Sequence, residues 1–186
     1  MAKTLEDYLS EITTLAGGRA LSTRWYRDQV RQIVPKQLGE GTVSGMIRRG
    51  DNSARPIYGI LNLYAYDPKL KESLRYYDVF PLVIPIERRP GGFLGINFHY
   101  LSIPLRLKLM EKLAPMSREN RVLGWNRISR FRLVKPCVKR YLTGHVQSRF
   151  LKIQDEDMPI AAMMPMQRFR KERATTVYAE SRRMIG

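Results

Sequence analysis

Three apolar runs between residues 56 and 101 constrain the fold of this chain more than any other feature. The first run, IYGILNLYAY, is rich in β-branched and aromatic residues and ends at the turn sequence YDPK. The second run, VFPLVIPIE, is separated from the third, FLGINFHYL, by the turn sequence RRPGG. Runs of this composition between proline- and glycine-containing turns predict antiparallel strands. Since Pro81 and Pro85 lie within the second run, we expect an edge or irregular strand there.

Helical spacing of apolar residues appears on both sides of these strands. Before them, Leu5, Leu9 and Ile12 recur at helical intervals, and a second amphipathic stretch ends at Pro35. After them, Ser102 is a suitable N-cap for a helix that begins with the sequence IPLRLKLMEKLA. Further helices are predicted at about 117–130, 135–146, 155–164 and 173–184.

These patterns predict an α+β fold. A small SH3-like β-barrel, or a bent antiparallel sheet, would carry flanking N- and C-terminal helices. The glycine-rich sequence KQLGEGTVSGMIRRGDNSAR is typical of a linker. The predicted organisation is an N-terminal helical arm, a linker, a β-barrel-like module and a basic helical C-terminal region, at residues 1–35, 36–55, 56–101 and 102–186.

The chain is strongly basic, with 33 Lys and Arg against 17 Asp and Glu and a formal net charge of +16. Its hydrophobic residues amount to 44%, which is enough for a core and argues against a wholly disordered chain. Such a charge favours a polyanionic partner, either nucleic acid, an anionic membrane or an acidic protein surface. No apolar run reaches the roughly 18 residues of a membrane span, so no membrane partner is expected.

Much of the positive charge lies in a segment that has no carboxylate between Glu119 and Asp155. Aromatic residues are interleaved with its cations, a pattern that suits phosphate contacts combined with base stacking. Trp125 or Tyr141 is expected to stack on a DNA end. In the alternative, the aromatic residues belong to the core and the cations contact acidic neighbouring proteins. The cations predicted to bind nucleic acid or an acidic partner are Arg121, Arg127, Arg130, Arg132, Lys135, Lys139, Arg140, Arg149 and Lys152.

Little in the sequence points to catalysis. A nuclease needs clustered carboxylates for metal ions, whereas Asp67, Asp78 and Glu87 stand at the ends of predicted strands, where turn roles are expected. We expect His99 to be a structural histidine bonded to a backbone group and Cys137 to pack in the core. The single cysteine excludes an internal disulfide, and two distant histidines argue against a zinc enzyme. We therefore expect no enzymatic activity, no metal and no cofactor.

Three stretches of the chain resemble a known protein family: YAYDPKLKESLRYYDVFPLVIPIE, GGFLGINFHYLSIPLRLKLMEKL and KPCVKRYLTGHVQSRFLKI. They are similar to small basic virion-associated proteins of contractile-tailed (T4-like and related) bacteriophages, some of which are labelled DNA end protectors. The resemblance covers about residues 57–170 and carries over no catalytic residues. It implies a virion protein that is bound near packaged DNA or in the neck, tail or baseplate.

Two functions follow as expectations from the charge and this resemblance. In the first, the protein is a non-enzymatic virion component that binds the genome end and shields it from exonuclease. In the second, it is a purely structural tail, neck or baseplate subunit whose basic face docks acidic neighbouring proteins. The expected partners are other virion proteins and, in the first hypothesis, a double-stranded DNA end. The expected location is the virion, with the host cytoplasm during assembly.

Overall fold

A computed structural model of the chain describes residues 50–120, 125–154 and 157–186. The predicted N-terminal helical arm at 1–35 and most of the predicted linker at 36–55 lie outside these residues. Within them, the fold combines antiparallel sheets with α-helices, so the predicted mixed α+β class is confirmed. No helix in the described ranges is long and apolar enough to cross a membrane.

The central sheet has six antiparallel strands in the order β1-β7-β2-β4-β5-β6, and β3 and β8 form a separate pair. The longest strands, β4 and β5, form the hairpin that the RRPGG sequence predicts, and Gly91 in its turn has a φ of 70°. The strands are β1 (Asp51–Ser53), β2 (Asn62–Leu63), β3 (Tyr77–Asp78), β4 (Leu82–Arg89), β5 (Gly92–Asn97), β6 (Val138–Leu142), β7 (Phe150–Lys152) and β8 (Phe169–Arg170).

The six-stranded sheet is strongly bent. Two strands separate β5 from β7, so a flat sheet would place them about 14 Å apart. The rings of Phe93 on β5 and Phe150 on β7 nevertheless lie 6.1 Å apart between centroids. The sheet therefore curls around a cluster of side chains that we call the aromatic cluster. Its buried members are Tyr64, Tyr66, Val83, Phe93, Tyr141 and Phe150.

The bent sheet is nevertheless open. In the described residues, β1 and β6 remain its two edges, so the structure contains no closed barrel and the SH3-like detail is not confirmed. The two faces of the sheet carry different apolar clusters, because successive strand residues point to opposite faces. Val83 on β4 points into the aromatic cluster, whereas its neighbours Leu82 and Ile84 belong to the larger cluster of buried apolar residues, which we call the main core.

The helices pack on the main-core face of the sheet. They are α1 (Ile103–Asn120), α2 (Trp125–Ile128), α3 (Met158–Met163) and α4 (Ala174–Ile185). Helix α1 begins directly after Ser102, as predicted, and the Ser102 carbonyl accepts a hydrogen bond from the Arg106 N–H at 2.9 Å. Buried residues of α1, α3 and α4, such as Leu107, Ala161 and Val177, join the same core. Helices α3 and α4 agree with the predictions at 155–164 and 173–184.

Two predictions of secondary structure are wrong. The helix expected at 135–146 is strand β6, which pairs with β5, and β7 also lies within the region predicted to be helical. Part of the expected linker is strand β1, which pairs with β7. All three strands are short, and each pairs with a strand that is distant in sequence. Local periodicity therefore could not reveal them, because long-range pairing stabilises them.

Candidate nucleic-acid interface

The predicted cations lie on three separate elements. Four of them have exposed side chains and lie within or next to α2 and the 3-10 turn Arg132–Val134: Arg127, Arg130, Arg132 and Lys135. Lys139 and Arg140 lie on β6, and Arg149 and Lys152 lie at β7. Three strands separate β6 from β7 in the sheet, so a segment that is continuous in sequence is divided in space. Arg121 lies outside the described residues.

The four cations around α2 form what we call the α2 surface: Arg127, Arg130, Arg132 and Lys135. Its turn packs against α1 and α4, and the Lys112 ammonium of α1 lies 5.7 Å from the centre of the Phe131 ring. Within the described ranges, none of the four cations forms an ion pair with a carboxylate. Exposed cations without a counter-charge are suited to phosphate or carboxylate contacts.

The structure does not support the predicted stacking role of Tyr141. The Tyr141 side chain is only 4% exposed and its ring stacks on Phe93 at 5.4 Å within the aromatic cluster. Its hydroxyl accepts a hydrogen bond from the Asn97 amide at 3.1 Å. This ring therefore belongs to the folded interior and presents little surface to a DNA base. The side chain of Trp125 lies outside what the structure describes.

An open pocket of about 410 Å³ lies beside the edge strand β6. We call it the tyrosine pocket. Two predicted cations, Lys139 and Arg140, line it together with Arg75, which the sequence reasoning missed. Its other lining residues include five tyrosines and two carboxylates, namely Tyr66, Tyr76, Tyr77, Tyr100, Tyr141, Asp78 and Glu180. The fold therefore places cations, phenol rings and a concave surface at one site.

Lys139 is the most unusual cation of the tyrosine pocket. Its half-buried ammonium lies 4.2 Å from the centre of the Tyr100 ring, a cation–π contact. Burial lowers the pKa of Lys139, because a charged amine is poorly solvated there. In the part of the chain that the structure describes, no carboxylate pairs with this ammonium.

The carboxylates of the tyrosine pocket are already engaged. Glu180 pairs with the Arg75 guanidinium at 2.6 Å, and burial together with this carboxylate raises the pKa of Tyr76 to about 12. Asp78 is buried. One of its oxygens accepts hydrogen bonds from the backbone N–H groups of Phe80, at 3.1 Å, and Arg168, at 3.0 Å. Neither carboxylate is left to neutralise Lys139.

The second oxygen of Asp78 contacts His99 at the base of this site. The distance from His99 Nδ1 is 2.7 Å, and the Asn97 amide donates to the same oxygen at 3.3 Å. Burial alone would raise the pKa of Asp78, but His99 and the two backbone N–H groups lower it. Burial lowers the pKa of His99 despite the adjacent carboxylate. The pair is thus an ionised carboxylate that accepts from a neutral imidazole at neutral pH.

This geometry defines the roles that were predicted for Asp78 and His99. The Asp78 side chain bonds the backbone N–H two residues later, as expected for a turn aspartate. His99 is fully buried and structural, as expected, although its ring bonds a carboxylate rather than a backbone group. Their contact connects two elements of the fold, because Asp78 belongs to β3 and His99 lies in the 3-10 turn Phe98–Tyr100 that follows β5.

Neither a metal site nor a reactive thiol is found among the described residues. No group of three or more His, Cys, Asp or Glu side chains there could hold a metal ion. Asp67 pairs with Lys71 at 2.9 Å, and Glu87 pairs with Arg89 at 3.0 Å. Cys137 is fully buried, and burial raises its pKa to about 12, so its predicted packing role is confirmed.

One known protein family matches most of the chain, including the basic surfaces described above. The family described as Phage T4 terminal DNA protecting protein matches residues 14–182. The chain belongs to this family. The match extends the resemblance inferred for residues 57–170 and includes the α2 surface and the tyrosine pocket. No curated protein and no solved structure matches the chain significantly.

The family is described by the protection of DNA and not by a chemical reaction. Its description supports the bacteriophage origin and the end-protection role expected from the sequence. Both the α2 surface and the tyrosine pocket lie within the matched residues. The two surfaces differ in shape, since the first is exposed and the second is concave.

Proposed function

We propose that this protein binds the ends of linear double-stranded DNA and shields them from exonucleases without itself cleaving DNA. The observation that carries this proposal is membership of the terminal DNA protecting family over residues 14–182. The net charge of +16 supports it, since DNA is a dense array of phosphates.

The α2 surface is the proposed site of contact with the DNA backbone. Arg127, Arg130, Arg132 and Lys135 are exposed, and no ion pair within the described residues occupies them. Arginine donates through a planar fork to two phosphate oxygens, which positions a duplex without reading its sequence. Arg149 and Lys152 at β7 would extend such contacts to a second region of the molecule. Protection of an end requires affinity and position more than base recognition, so these cations suit it.

An acidic partner protein within a virion is the alternative for the same surface. Carboxylates and phosphates are recognised by the same guanidinium geometry, so the α2 surface fits either. Under this alternative the protein is a neck, tail or baseplate subunit that meets acidic neighbours. Residence in the virion belongs to both proposals, with passage through the host cytoplasm during assembly.

The test is exonuclease digestion of linear duplex DNA in the presence of the full chain, at about 50 mM salt, where phosphate contacts are strong. We expect the protein to preserve full-length linear DNA. Endonuclease digestion of a circular plasmid of the same sequence should proceed normally, because the circle has no ends. Failure to delay exonuclease at this salt concentration would overturn the proposal and leave the acidic-partner alternative.

A matched pair of variants assigns the contact surface. Replacing Arg127, Arg130 and Lys135 with Gln removes three exposed charges from the α2 surface. Replacing Arg55, Lys69 and Arg89 with Gln removes the same charge from exposed positions elsewhere. We expect the first variant to bind linear DNA about tenfold more weakly and the second to retain affinity. Equal losses in the two variants would show that net charge, and not this surface, is responsible.

A further inference from the structure

The tyrosine pocket has a feature that binding of the duplex backbone does not explain. Three cationic residues, Arg75, Lys139 and Arg140, line this concave site at the edge of the sheet. Arg75 is paired with Glu180, and the Arg140 guanidinium donates to the Pro90 carbonyl at 3.0 Å. Only Lys139 combines partial burial with the lack of any anionic partner among the described residues.

A half-buried cation without an anion is costly in free energy, because water is partly removed and no carboxylate replaces it. The cation–π contact with Tyr100 compensates for only part of this loss. The nearest alternatives are unsuitable, since the oxygens of Asp78 are engaged by His99, Asn97 and two backbone N–H groups. An anion that enters the pocket would complete the site.

The size and lining of the pocket indicate the kind of ligand to which that anionic group belongs. A volume of about 410 Å³ is within the range of small-molecule sites and exceeds what a phosphate alone needs. Tyr76 and Tyr77 line the same space and are half-buried, so they present partly apolar ring surface to a ligand. Phosphate beside an aromatic surface is the chemistry of a nucleotide.

We propose that the tyrosine pocket receives the terminal nucleotide of DNA, with its phosphate monoester against Lys139 and Arg140 and its base against Tyr76 and Tyr77. This inference rests on the proposed end-binding function and adds a recognised chemical group to it. A terminal monoester carries close to two negative charges at neutral pH, whereas each internal diester carries one. The pocket thereby distinguishes an end from the interior of a duplex by charge.

The concave shape adds a second distinction. An internal nucleotide is connected on both sides, so it cannot enter a pocket without bending the duplex, whereas a terminal nucleotide has one free side. Binding there would leave the α2 surface to hold the adjoining backbone. The phosphate monoester can belong to the 5′ or the 3′ end, and both present the same dianion.

The experiment measures affinity with hairpin duplexes that have one open end. The open end carries a 5′-phosphate, a 3′-phosphate or hydroxyl groups only, and binding is followed by fluorescence anisotropy. We expect one of the two phosphorylated ends to bind about tenfold more tightly than the hydroxyl end, as a charge-assisted contact predicts. That result also identifies which end the pocket takes.

Variants test whether the pocket causes this preference. Lys139→Met preserves the aliphatic packing of the side chain and removes its charge. In this variant we expect phosphorylated and hydroxyl ends to bind with about equal affinity. Arg140→Gln, at an exposed position, should reduce it in part and serves if Lys139→Met folds poorly. Arg55→Gln, at the opposite edge of the sheet, removes the same charge and should retain the preference.

Three results would overturn this inference. The first is equal binding of all three duplex ends, and the second is a preference for phosphorylated ends that persists in both pocket variants. The third is competition by a free mononucleotide as effective as that by a phosphorylated duplex end, which would make the pocket a site for free nucleotides. Each is compatible with exonuclease protection by the intact chain. Loss of the proposed function would instead appear as failure to protect any linear duplex, so the two failures are distinguishable.

Discussion

At the scale of single residues, the Asp78 and His99 pair shows how a buried polar contact supports a surface site. Asp78 receives hydrogen bonds from four groups, and it lines the tyrosine pocket. The sequence indicated a turn aspartate and a structural histidine separately. It could not indicate that they meet, because they are 21 positions apart in the sequence and the β4–β5 hairpin lies between them.

The pair predicts how stability depends on pH. Burial lowers the pKa of His99 in the folded state, while in the unfolded chain it is about 6.5. Below pH of about 6.5 the unfolded chain takes up a proton that the folded chain does not, so stability falls as pH falls. The loss is up to about 1.4 kcal/mol per pH unit until the folded pKa is reached. Stability linked to Asp78, whose pKa is also lowered, is lost only below its unfolded value of about 3.9.

The measurement is the free energy of unfolding in urea at pH 7 and pH 5. We expect a lower value at pH 5 in the wild-type chain and a smaller difference between the two pH values in His99→Gln. The matched control is His145→Gln, which removes the other histidine and should retain the wild-type difference. Equal free energies at both pH values in the wild-type chain would contradict the neutral, buried state of His99.

Arg106 is a residue whose role the sequence concealed. It lies in a run of cations and apolar residues, where an exposed helical position is the ordinary expectation, yet its side chain is fully buried. Its guanidinium donates to the carbonyls of Leu101 and Met164 and to the side chains of Gln167 and Tyr178. An arginine can therefore be a structural connector in one place and a phosphate contact in another, and only the fold distinguishes them.

At the scale of elements, the β5–β6 pairing positions the cations of the tyrosine pocket. Lys139 is opposite Gly95, and Tyr141 is opposite Phe93. A Cβ atom added at Gly92 would collide with the Tyr141 backbone carbonyl, so the strands approach closely because residue 92 has no side chain. This approach fixes β6, the strand that carries Lys139 and Arg140.

Gly92→Ala therefore tests the positioning of β6. We expect a loss of stability of about 2 kcal/mol or more and a weaker preference for phosphorylated ends, because the added methyl group displaces β6. Gly144→Ala is the matched control, since a Cβ atom there meets nothing within 4 Å. Urea denaturation measures the first effect and anisotropy the second. A Gly92→Ala variant as stable as the control would show that β6 tolerates the shift.

The elements also show which parts of this fold can be predicted from the sequence. The β4–β5 hairpin and helix α1 were predictable because their signals are local, a proline-glycine turn and an N-terminal serine before Pro104. Strand β6 was not, because KPCVKRYL offers cations and apolar residues that fit a helix equally well. This segment forms a strand because it pairs with β5, about 45 residues earlier in the sequence. Such long-range contacts leave no local periodicity.

At the scale of the whole molecule, the basic side chains behind the net charge of +16 include two kinds of cation, exposed and half-buried. The cations of the α2 surface are exposed to solvent. Salt at physiological ionic strength strongly screens the attraction between an exposed cation and a phosphate. Lys139 is half-buried and is screened less. If the first kind holds the duplex backbone and the second holds its terminal phosphate, the two contributions differ in their dependence on salt.

This difference gives a prediction for the intact chain. The logarithm of the binding constant for linear DNA should fall linearly with the logarithm of salt concentration, by about 0.9 for each phosphate contact. Replacing Arg127, Arg130 and Lys135 with Gln should reduce the magnitude of that slope by about 2.7, because three contacts are lost. Replacing Arg55, Lys69 and Arg89 should leave it unchanged.

The same titrations compare a hydroxyl end with the preferred phosphorylated end. Because the terminal phosphate meets a cation that is partly removed from solvent, the ratio of the two affinities should decline much less with salt than either affinity does. A ratio that falls as steeply as the affinities themselves would place the terminal phosphate on an exposed surface. A shallow ratio together with a steep overall slope requires two sites of different burial, as the α2 surface and the tyrosine pocket provide.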